Sequence, residues 1–310
     1  MKSFVVEEIE RTAGGGGIEV LVPARAVREK LSAYVELTKP RITFLVVLTT
    51  AAGFFMGSRD TFALAAFLHA MAATALLSSG IATLNQYMER DLDRLMRRTV
   101  ARPLPAGLLS PSSALWFGVV LTIVAELYLG LAVNWLSALC GLGVIIGYLF
   151  LYTPLKTRTS LSTLVGAFPG AVPPLLGWAA ATNSLSVEAW VLFAILFLWQ
   201  FPHFFAIAWM YREDYERAGI KMLPVVEPDG RLTKQQIVLW TLMLVPVSLA
   251  PAVMGMAGAV YFYGALLLGA LFLWSSLAAF LSFSNRNARR VLLASVLYLP
   301  VLFGLMVLKQ

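Results

Sequence analysis

Apolar stretches of about 20 residues recur along almost the whole chain, and a lipid bilayer is the environment that accommodates such stretches. The chain has 310 residues, of which 59% are hydrophobic and only 13% are charged. This pattern predicts an all-α polytopic membrane protein with about nine transmembrane helices. The predicted spans are 40–58, 62–87, 112–132, 135–153, 162–181, 187–210, 236–256, 259–282 and 289–308.

The basic residues are distributed unevenly between the two sides of such a bundle. Of the 24 Lys and Arg residues, all except Arg59 and Lys309 fall on the side that carries the N-terminus. Because basic loops favour the cytoplasm, we expect a cytoplasmic N-terminus and an extracytoplasmic C-terminus in a prokaryotic plasma membrane. The net charge of +7 is then explained by topology, and we expect no nucleic-acid partner.

The N-terminal segment differs in composition from the rest of the chain. Residues 1–38 are polar, mixed in charge and contain four consecutive glycines at 14–17. We interpret them as a flexible cytoplasmic tail and residues 39–308 as one transmembrane domain. Cys140 is the only cysteine, which excludes an internal disulfide and a cysteine-based metal cluster. The prolines of the fifth span predict a kink there.

A cluster of polar side chains occurs at the cytoplasmic end of the second span. Asn85, Glu89 and Asp93 are spaced by four, so on a helix they fall within an arc of about 80° and share one face. Asp91 points away from that face. Oxygen ligands beside guanidinium groups are what a Mg²⁺-bound diphosphate requires, and they favour a substrate with a charged head and an apolar tail. The guanidinium groups would come from Arg94, Arg97, Arg98 and Arg102.

Two other cytoplasmic loops contain candidate partners for this cluster. The loop after the sixth span contains Asp214, a candidate metal carboxylate, and Lys221, a candidate phosphate ligand. The loop after the fourth span contains Lys156 and Arg158, which are candidate diphosphate contacts. Tyr152 shares a face with Lys156 if the fourth helix continues that far. The alternative for these loops is that their charges only set the membrane topology.

His203 lies within the sixth span, in the aromatic segment WQFPHFFAIAW at 199–209. An imidazole inside a membrane requires a polar partner. The residues alone leave two interpretations open. His203 ligates a metal or haem iron, or it bonds a backbone carbonyl that Pro202 leaves free.

The motif N-x3-E-x3-D followed by R-T-x2-R-P-L, here residues 85–104, resembles the first signature of the UbiA-type intramembrane prenyltransferases. Within that family the chain is most similar to the protohaem IX farnesyltransferases, or haem O synthases. The segments that carry this closer resemblance are TKPRI (38–42), YTPLKTRT (152–159), FPHFFAIAW (201–209) and DYERAGIKMLPVV (214–226). The resemblance covers about residues 36–308.

This resemblance implies a reaction in which farnesyl diphosphate, haem B and water give haem O and diphosphate. It implies that Asn85, Glu89 and Asp93 hold Mg²⁺ on the diphosphate, that Asp214 serves a second acidic region, and that His203 has a role towards haem. It also implies downstream partners that modify haem or assemble a terminal oxidase. The residues implied to contact or orient the diphosphate are Arg98, Arg102, Tyr152, Lys156 and Lys221.

The second acidic region departs from the D-x3-D pattern of many relatives, because Tyr211 and Tyr215 occupy positions where acids are expected. Two alternative functions also remain. Prenylation of an aromatic acid in quinone biosynthesis uses the same diphosphate apparatus. Ion transport through the cluster at 85–93 is the other, although transporter sites usually lie near the membrane midplane and not at one face.

Overall fold

The structure is a computed structural model that describes residues 18–58 and 62–308, and within these ranges it contains helices and no strand. Nine helices in this part of the chain are long and apolar enough to span a bilayer, which confirms the predicted fold class. They are α2 (Pro40–Gly57), α3 (Leu64–Asp93), α4 (Pro111–Val133), α5 (Trp135–Leu155), α6 (Ser162–Thr182), α7 (Val187–Met210), α10 (Arg231–Val253), α11 (Ala259–Leu281) and α12 (Asn285–Val307). Three other helices are α1 (Ile18–Leu37), α8 (Arg212–Arg217) and α9 (Leu223–Val226).

The prediction of a flexible tail over residues 1–38 is wrong for its second half, which forms α1. The reason is an apolar face: Ala33 and Leu37 are buried against Leu104 and Leu109 of the loop after α3. Tyr34 stacks edge-on against Phe117 of α4, with ring centroids 5.0 Å apart. Residues 1–17 lie outside the described part of the chain, as do Arg59 and Lys309.

Several spans begin or end beyond the predicted limits. The second span was predicted to end at residue 87, but α3 continues to Asp93. It can do so because the polar side chains of its last turns are paired, as described below. The ninth span begins at Asn285, where the side chain of Ser284 accepts a hydrogen bond from the amide of Asn287. Such polar caps stabilise a helix end, but a span predicted from apolar residues alone does not include them.

Irregular backbone interrupts α5 in its last turns and α6 near its middle. Helix α5 is α-helical to Ile145, π-helical over Ile146–Tyr152 and α-helical again over Thr153–Leu155. Helix α6 is divided at Val172, where Pro173 opens its second half, so the kink predicted from the prolines is confirmed. Such π-helical turns often occur at functional sites.

The spans pack into one bundle with two main apolar cores. Helix α2 packs along α6, α3 along α4, and α7 against both α10 and α12. The larger core lies among α2, α6, α7 and α10–α12, and a second core lies among α3–α6. Large apolar side chains remain exposed on the outer faces, including Leu131, Trp274 and Leu281, as expected for surfaces that contact lipid.

The backbones of α2 and α6 approach each other closely at two glycines. A Cβ atom on Gly53 would clash with the carbonyl oxygen of Pro174, and one on Gly177 would clash with the carbonyl oxygen of Thr50. Small residues at crossing points allow membrane helices to pack without intervening side chains. This contact joins the second half of α2 closely to α6.

Candidate active site

The three polar side chains predicted to share a face of α3 are all buried. Asn85 is 2% exposed, Glu89 7% and Asp93 0%. Because α3 is continuous through Asp93, their spacing by four places them one above another along the helix. Asp91 is 67% exposed in its side chain and pairs with Arg94 at 3.4 Å, so it lies outside this buried row, as the sequence predicts.

Each buried side chain of this row is bound by a cation from a different segment. The Nζ atom of Lys39 donates to Oδ1 of Asn85 at 3.0 Å, and Nζ of Lys156 donates to Oε1 of Glu89 at 2.6 Å. A terminal nitrogen of Arg102 contacts both carboxylate oxygens of Asp93, at 2.9 and 2.7 Å. We call these six residues the polar cluster. Both carboxylates are paired with cations, which is what allows them to remain buried at this depth.

Lys39 was not predicted as a site residue, because a lysine at a span boundary is usually explained by topology. It directly precedes α2 and adopts a left-handed backbone conformation with φ 47°, which is costly for a non-glycine residue and typical of functional sites. Burial, followed by the charge of Arg102, lowers the pKa of Lys39 to about 7. The one indication in the sequence that Lys39 belongs to the site is its position in the TKPRI segment, 38–42.

Lys156 follows the end of α5 and lies 4.5 Å from the ring centroid of Tyr152. The helix therefore continues far enough for these two side chains to meet, as the sequence predicts. Burial disfavours the charge of Lys156, but Tyr152 and the carboxylate of Glu89 outweigh it and raise the pKa of Lys156. Tyr148 packs 5.2 Å from Tyr152, centroid to centroid, so aromatic rings line this side of the polar cluster.

The second acidic region contacts the loop after α3. Asp214 is buried and pairs with Arg217. Its Oδ2 atom also accepts from the backbone amide of Arg98 at 3.4 Å, and the Arg98 side chain donates to the hydroxyl of Tyr215 at 3.0 Å. The two loops thus form one surface, with a cavity of ≈ 360 Å³ between them. The cavity is lined by Arg97, Arg98, Met210, Tyr211, Glu213 and Asp214.

Two predicted diphosphate contacts lie at the edge of this arrangement. The backbone amide of Lys221 donates to the carbonyl of Lys156 at 2.7 Å. This bond connects the loop after α7 to the loop after α5, but the side chain of Lys221 is exposed. Arg158 is also exposed, and among the described residues it forms no ion pair with a carboxylate. The structure therefore brings Lys156 and Arg102 into the polar cluster and leaves Arg158 and the Lys221 side chain at its rim.

His203 has a side-chain partner that the sequence did not indicate. Its Nδ1 atom lies 2.8 Å from Oγ of Ser295 in α12, and its ring stacks on Trp199 with centroids 4.7 Å apart. The expectation that it bonds a carbonyl left free by Pro202 is thus not what the structure shows. His203 lies on α7, separate from the polar cluster on α3.

A divalent cation fits the donor chemistry of the site. Asn85, Glu89, Asp93 and Asp214 can each offer a side-chain oxygen atom, the type of ligand that Mg²⁺ prefers. Among the described residues no group of three or more His, Cys, Asp or Glu side chains is close enough to form a ready-made metal cage.

A comparison with protein-family models identifies the family to which this chain belongs. The UbiA prenyltransferase family model matches residues 46–302, which is most of the chain. The chain belongs to the UbiA prenyltransferase family. It is therefore a multi-pass membrane protein of a prenyltransferase family, and the polar cluster lies at one end of its spans.

The chain is also similar to curated and structurally solved UbiA proteins. It is 54% identical over 286 residues to a protein of Solibacter usitatus named protoheme IX farnesyltransferase, covering 89% of this chain and 98% of that protein. A digeranylgeranylglyceryl phosphate synthase structure aligns with a TM-score of 0.76 at 16% identity, covering 91% and 98% of the two chains. A UbiA homologue from Archaeoglobus fulgidus, bound to GPP and Mg²⁺, aligns with a TM-score of 0.63 at 18% identity, covering 88% and 99%. The two structural likenesses establish the fold.

Proposed function

We propose that this protein transfers the farnesyl group of farnesyl diphosphate to a vinyl group of haem B, with addition of water, to give haem O and diphosphate. The name of the Solibacter relative, which is more than half identical over nearly its whole length, supports this choice of substrates. The observation that carries the proposal is the polar cluster: three cationic side chains hold three oxygen-bearing side chains at one end of an apolar bundle. This is a site for a charged head attached to an apolar tail.

The diphosphate would bind between the cations of the cluster and the two cytoplasmic loops. Asn85, Glu89, Asp93 and Asp214 would hold Mg²⁺, which neutralises charge on the diphosphate when it is bound. The Archaeoglobus homologue, which holds GPP and Mg²⁺, supports a metal-bound prenyl diphosphate here. The side chains proposed to contact or orient the diphosphate are Arg98, Arg102, Tyr152, Lys156, Arg158 and Lys221.

In the reaction, the allylic C–O bond breaks and its electron pair leaves with the diphosphate. Lys156 and Arg102 are already placed and partly shielded from water, so they stabilise the developing negative charge without reorganising. The farnesyl cation forms next to Tyr148 and Tyr152, whose ring faces favour a cation. The π-electrons of a haem vinyl group form the new C–C bond. Water adds to the resulting cation beside the macrocycle and loses a proton, which leaves a hydroxyl group.

Haem would approach from the side of α7, where His203 provides an imidazole among aromatic rings. The diphosphate would then come from the cytoplasmic face, and the N-terminus would be cytoplasmic and the C-terminus extracytoplasmic, in a prokaryotic plasma membrane. Haem B and its product are poorly soluble, so this location also favours transfer to membrane-bound haem-modifying or terminal-oxidase assembly proteins.

The proposal is tested by incubating membranes that contain the protein with labelled farnesyl diphosphate and Mg²⁺, with and without haem B. A labelled porphyrin product that forms only when haem B is present supports it. Label transferred to an added aromatic acid, and none to haem B, would instead identify a quinone-pathway prenyltransferase. Uptake of an ion without any prenylated product would indicate transport.

A further inference from the structure

One face of α12 carries three exposed arginines in its first two turns and exposed apolar side chains in the turns that follow. The arginines are Arg286, Arg289 and Arg290. The apolar side chains are Leu293, Val296 and Leu297. At 100° per residue all six positions fall within an arc of about 120° around the helix axis. The charged and apolar side chains therefore form one continuous stripe on the outside of the bundle.

The apolar part of this stripe faces lipid, because the opposite side of α12 is packed in the bundle. Val291, Ser295 and Tyr298 on that opposite side are buried, and α12 packs against α7 and α11. Helix α11 ends next to the start of α12, and its last turns expose Leu277 and Leu281. Two adjacent apolar surfaces thus lie beside the three arginines.

The charge of the three arginines is not balanced by acidic side chains. None of the three forms a salt bridge with a carboxylate among the residues that the structure describes. Arg290 donates to the neutral amide oxygen of Asn287 at 3.1 Å. Like charges four residues apart on a helix repel each other, and the helix dipole disfavours cations in the first turns. A bound anion would relieve both effects.

The acidic residues of the loop before α10 are engaged in that loop. The loop lies close to the start of α12, since a Cβ on Gly230 would lie 2.8 Å from the ring of Phe283. Glu227 and Asp229 accept hydrogen bonds from backbone amides in the first turn of α10. These bonds stabilise the start of α10, and the arginines of α12 remain available for another anion.

The arginine stripe lies at the same end of the bundle as the polar cluster but at a different place. Arg212, which follows α7, donates to Oδ1 of Asn285 at 3.5 Å, so the start of α12 lies beside the loop that contains Asp214. The cavity near Asp214 is lined by residues of α7, of the loop after it and of the loop after α3. An anion on the outer face of α12 is therefore separate from the proposed diphosphate site.

We propose that this stripe binds an anionic phospholipid, with the phosphate among the three arginines and the acyl chains along the apolar faces of α12 and α11. Guanidinium groups donate several hydrogen bonds in one plane, which matches the oxygen atoms of a phosphate. Long arginine side chains at the start of a span reach the headgroup level of the bilayer. A free phosphate ion would satisfy the arginines but would leave the apolar part of the stripe without a role, whereas a lipid matches both.

Native mass spectrometry of purified, delipidated protein tests this site, with phosphatidylglycerol and phosphatidylcholine of identical acyl chains titrated separately. Wild-type protein should bind phosphatidylglycerol at least about 10-fold more tightly, because each basic residue near an anionic lipid strengthens binding about fivefold. The combined variant Arg286→Gln, Arg289→Gln and Arg290→Gln should lose this preference. Unchanged affinity for phosphatidylglycerol in this variant overturns the proposal.

A second triple variant separates the stripe from general surface charge. Arg28→Gln, Lys30→Gln and Arg94→Gln together remove the same number of charges from exposed positions at the same end of the bundle. This control should keep the wild-type preference for phosphatidylglycerol. Equal losses of affinity in the two triple variants would show non-specific attraction and overturn the assignment to α12.

The same spectra distinguish other occupants of this face. An excess of inorganic phosphate should not displace phosphatidylglycerol, and full displacement would identify a phosphate site and overturn the lipid assignment. A wild-type dimer that binds no phosphatidylglycerol and is lost in the α12 triple variant would show that a second copy covers the face, which also overturns it.

Thermal unfolding in detergent provides a check on the fold of the α12 variant. Without lipid its midpoint should be similar to that of the wild type, because the three replaced side chains are exposed. Phosphatidylglycerol should raise the midpoint of the wild type and not that of the variant, since a ligand stabilises only a fold that binds it. An equal rise in both proteins would contradict the site.

Discussion

The ammonium group of Lys156 lies 2.6 Å from Oε1 of Glu89, and both side chains are largely buried. The pair links the loop after α5 to the last turns of α3. Removing either partner leaves a buried charge without compensation, which is strongly unfavourable. The pair therefore holds a cation beside the proposed diphosphate site before substrate arrives.

Lys156→Ala should weaken binding of a non-hydrolysable farnesyl diphosphate analogue about 10-fold or more, because it removes a charge-assisted contact to phosphate oxygens. Binding of haem B should change little. Both affinities can be measured by titration of the purified protein. Arg158→Ala is the comparison in the same loop and should have the smaller effect, since its side chain is exposed and away from the cluster. Analogue affinity equal to wild type in Lys156→Ala would remove Lys156 from the diphosphate site.

Asp93→Ala should reduce prenyl transfer by at least about 100-fold, the range seen when one preorganised electrostatic group is lost. Asp93 is fully buried and holds Arg102 through both oxygens, so the change removes a metal ligand and releases a cation. Turnover should be measured at saturating Mg²⁺, with retention of fold checked by helical circular dichroism. Asp91→Ala is the matched control. Asp91 is exposed, so this variant should retain most activity. Near-normal turnover in Asp93→Ala would contradict its assigned role.

His203→Ala should impair use of haem B and leave diphosphate binding almost unchanged, because His203 lies on α7 and not in the polar cluster. The absorption spectrum of bound haem is the decisive measurement. A changed spectrum is expected if the imidazole ligates iron. A wild-type spectrum with wild-type activity would leave His203 with only its structural bond to Ser295.

Gly177→Ala should destabilise the protein, because the added Cβ would meet the backbone carbonyl of Thr50 where α2 and α6 cross. Overpacking of this kind typically costs about 1–3 kcal/mol. A thermal unfolding assay in detergent should show a lower midpoint. Gly143→Ala is the matched control, since a Cβ there meets open space, and it should keep the wild-type midpoint. Equal midpoints for both variants would contradict the close crossing.

Much of the site could be predicted because its main element is a single helix. The spacing of Asn85, Glu89 and Asp93 determines a shared face whatever the rest of the chain does. The spacing of four between Tyr152 and Lys156 likewise predicted that these two side chains meet. Apolar length alone also predicted the nine spans found among the described residues.

The contacts between distant segments could not be predicted in this way. Lys39 reaches Asn85 only because α2 begins beside α3 and its backbone turns left-handed there. Ser295 reaches His203 from more than 90 positions along the chain. Helix α1 was missed because its stability comes from packing on the loop after α3, a contact that the sequence of α1 alone does not reveal.

Product analysis in isotopically labelled water tests the central proposal most directly. Purified protein would be given haem B, farnesyl diphosphate and Mg²⁺ in H₂¹⁸O, and the porphyrin products would be identified by mass spectrometry. We expect a product with the mass of haem B plus a farnesyl group and one hydroxyl, with the ¹⁸O label in that hydroxyl. Asp93→Ala should not form this product. Recovery of unmodified haem B only, with active farnesyl transfer to an aromatic acid under the same conditions, would contradict it.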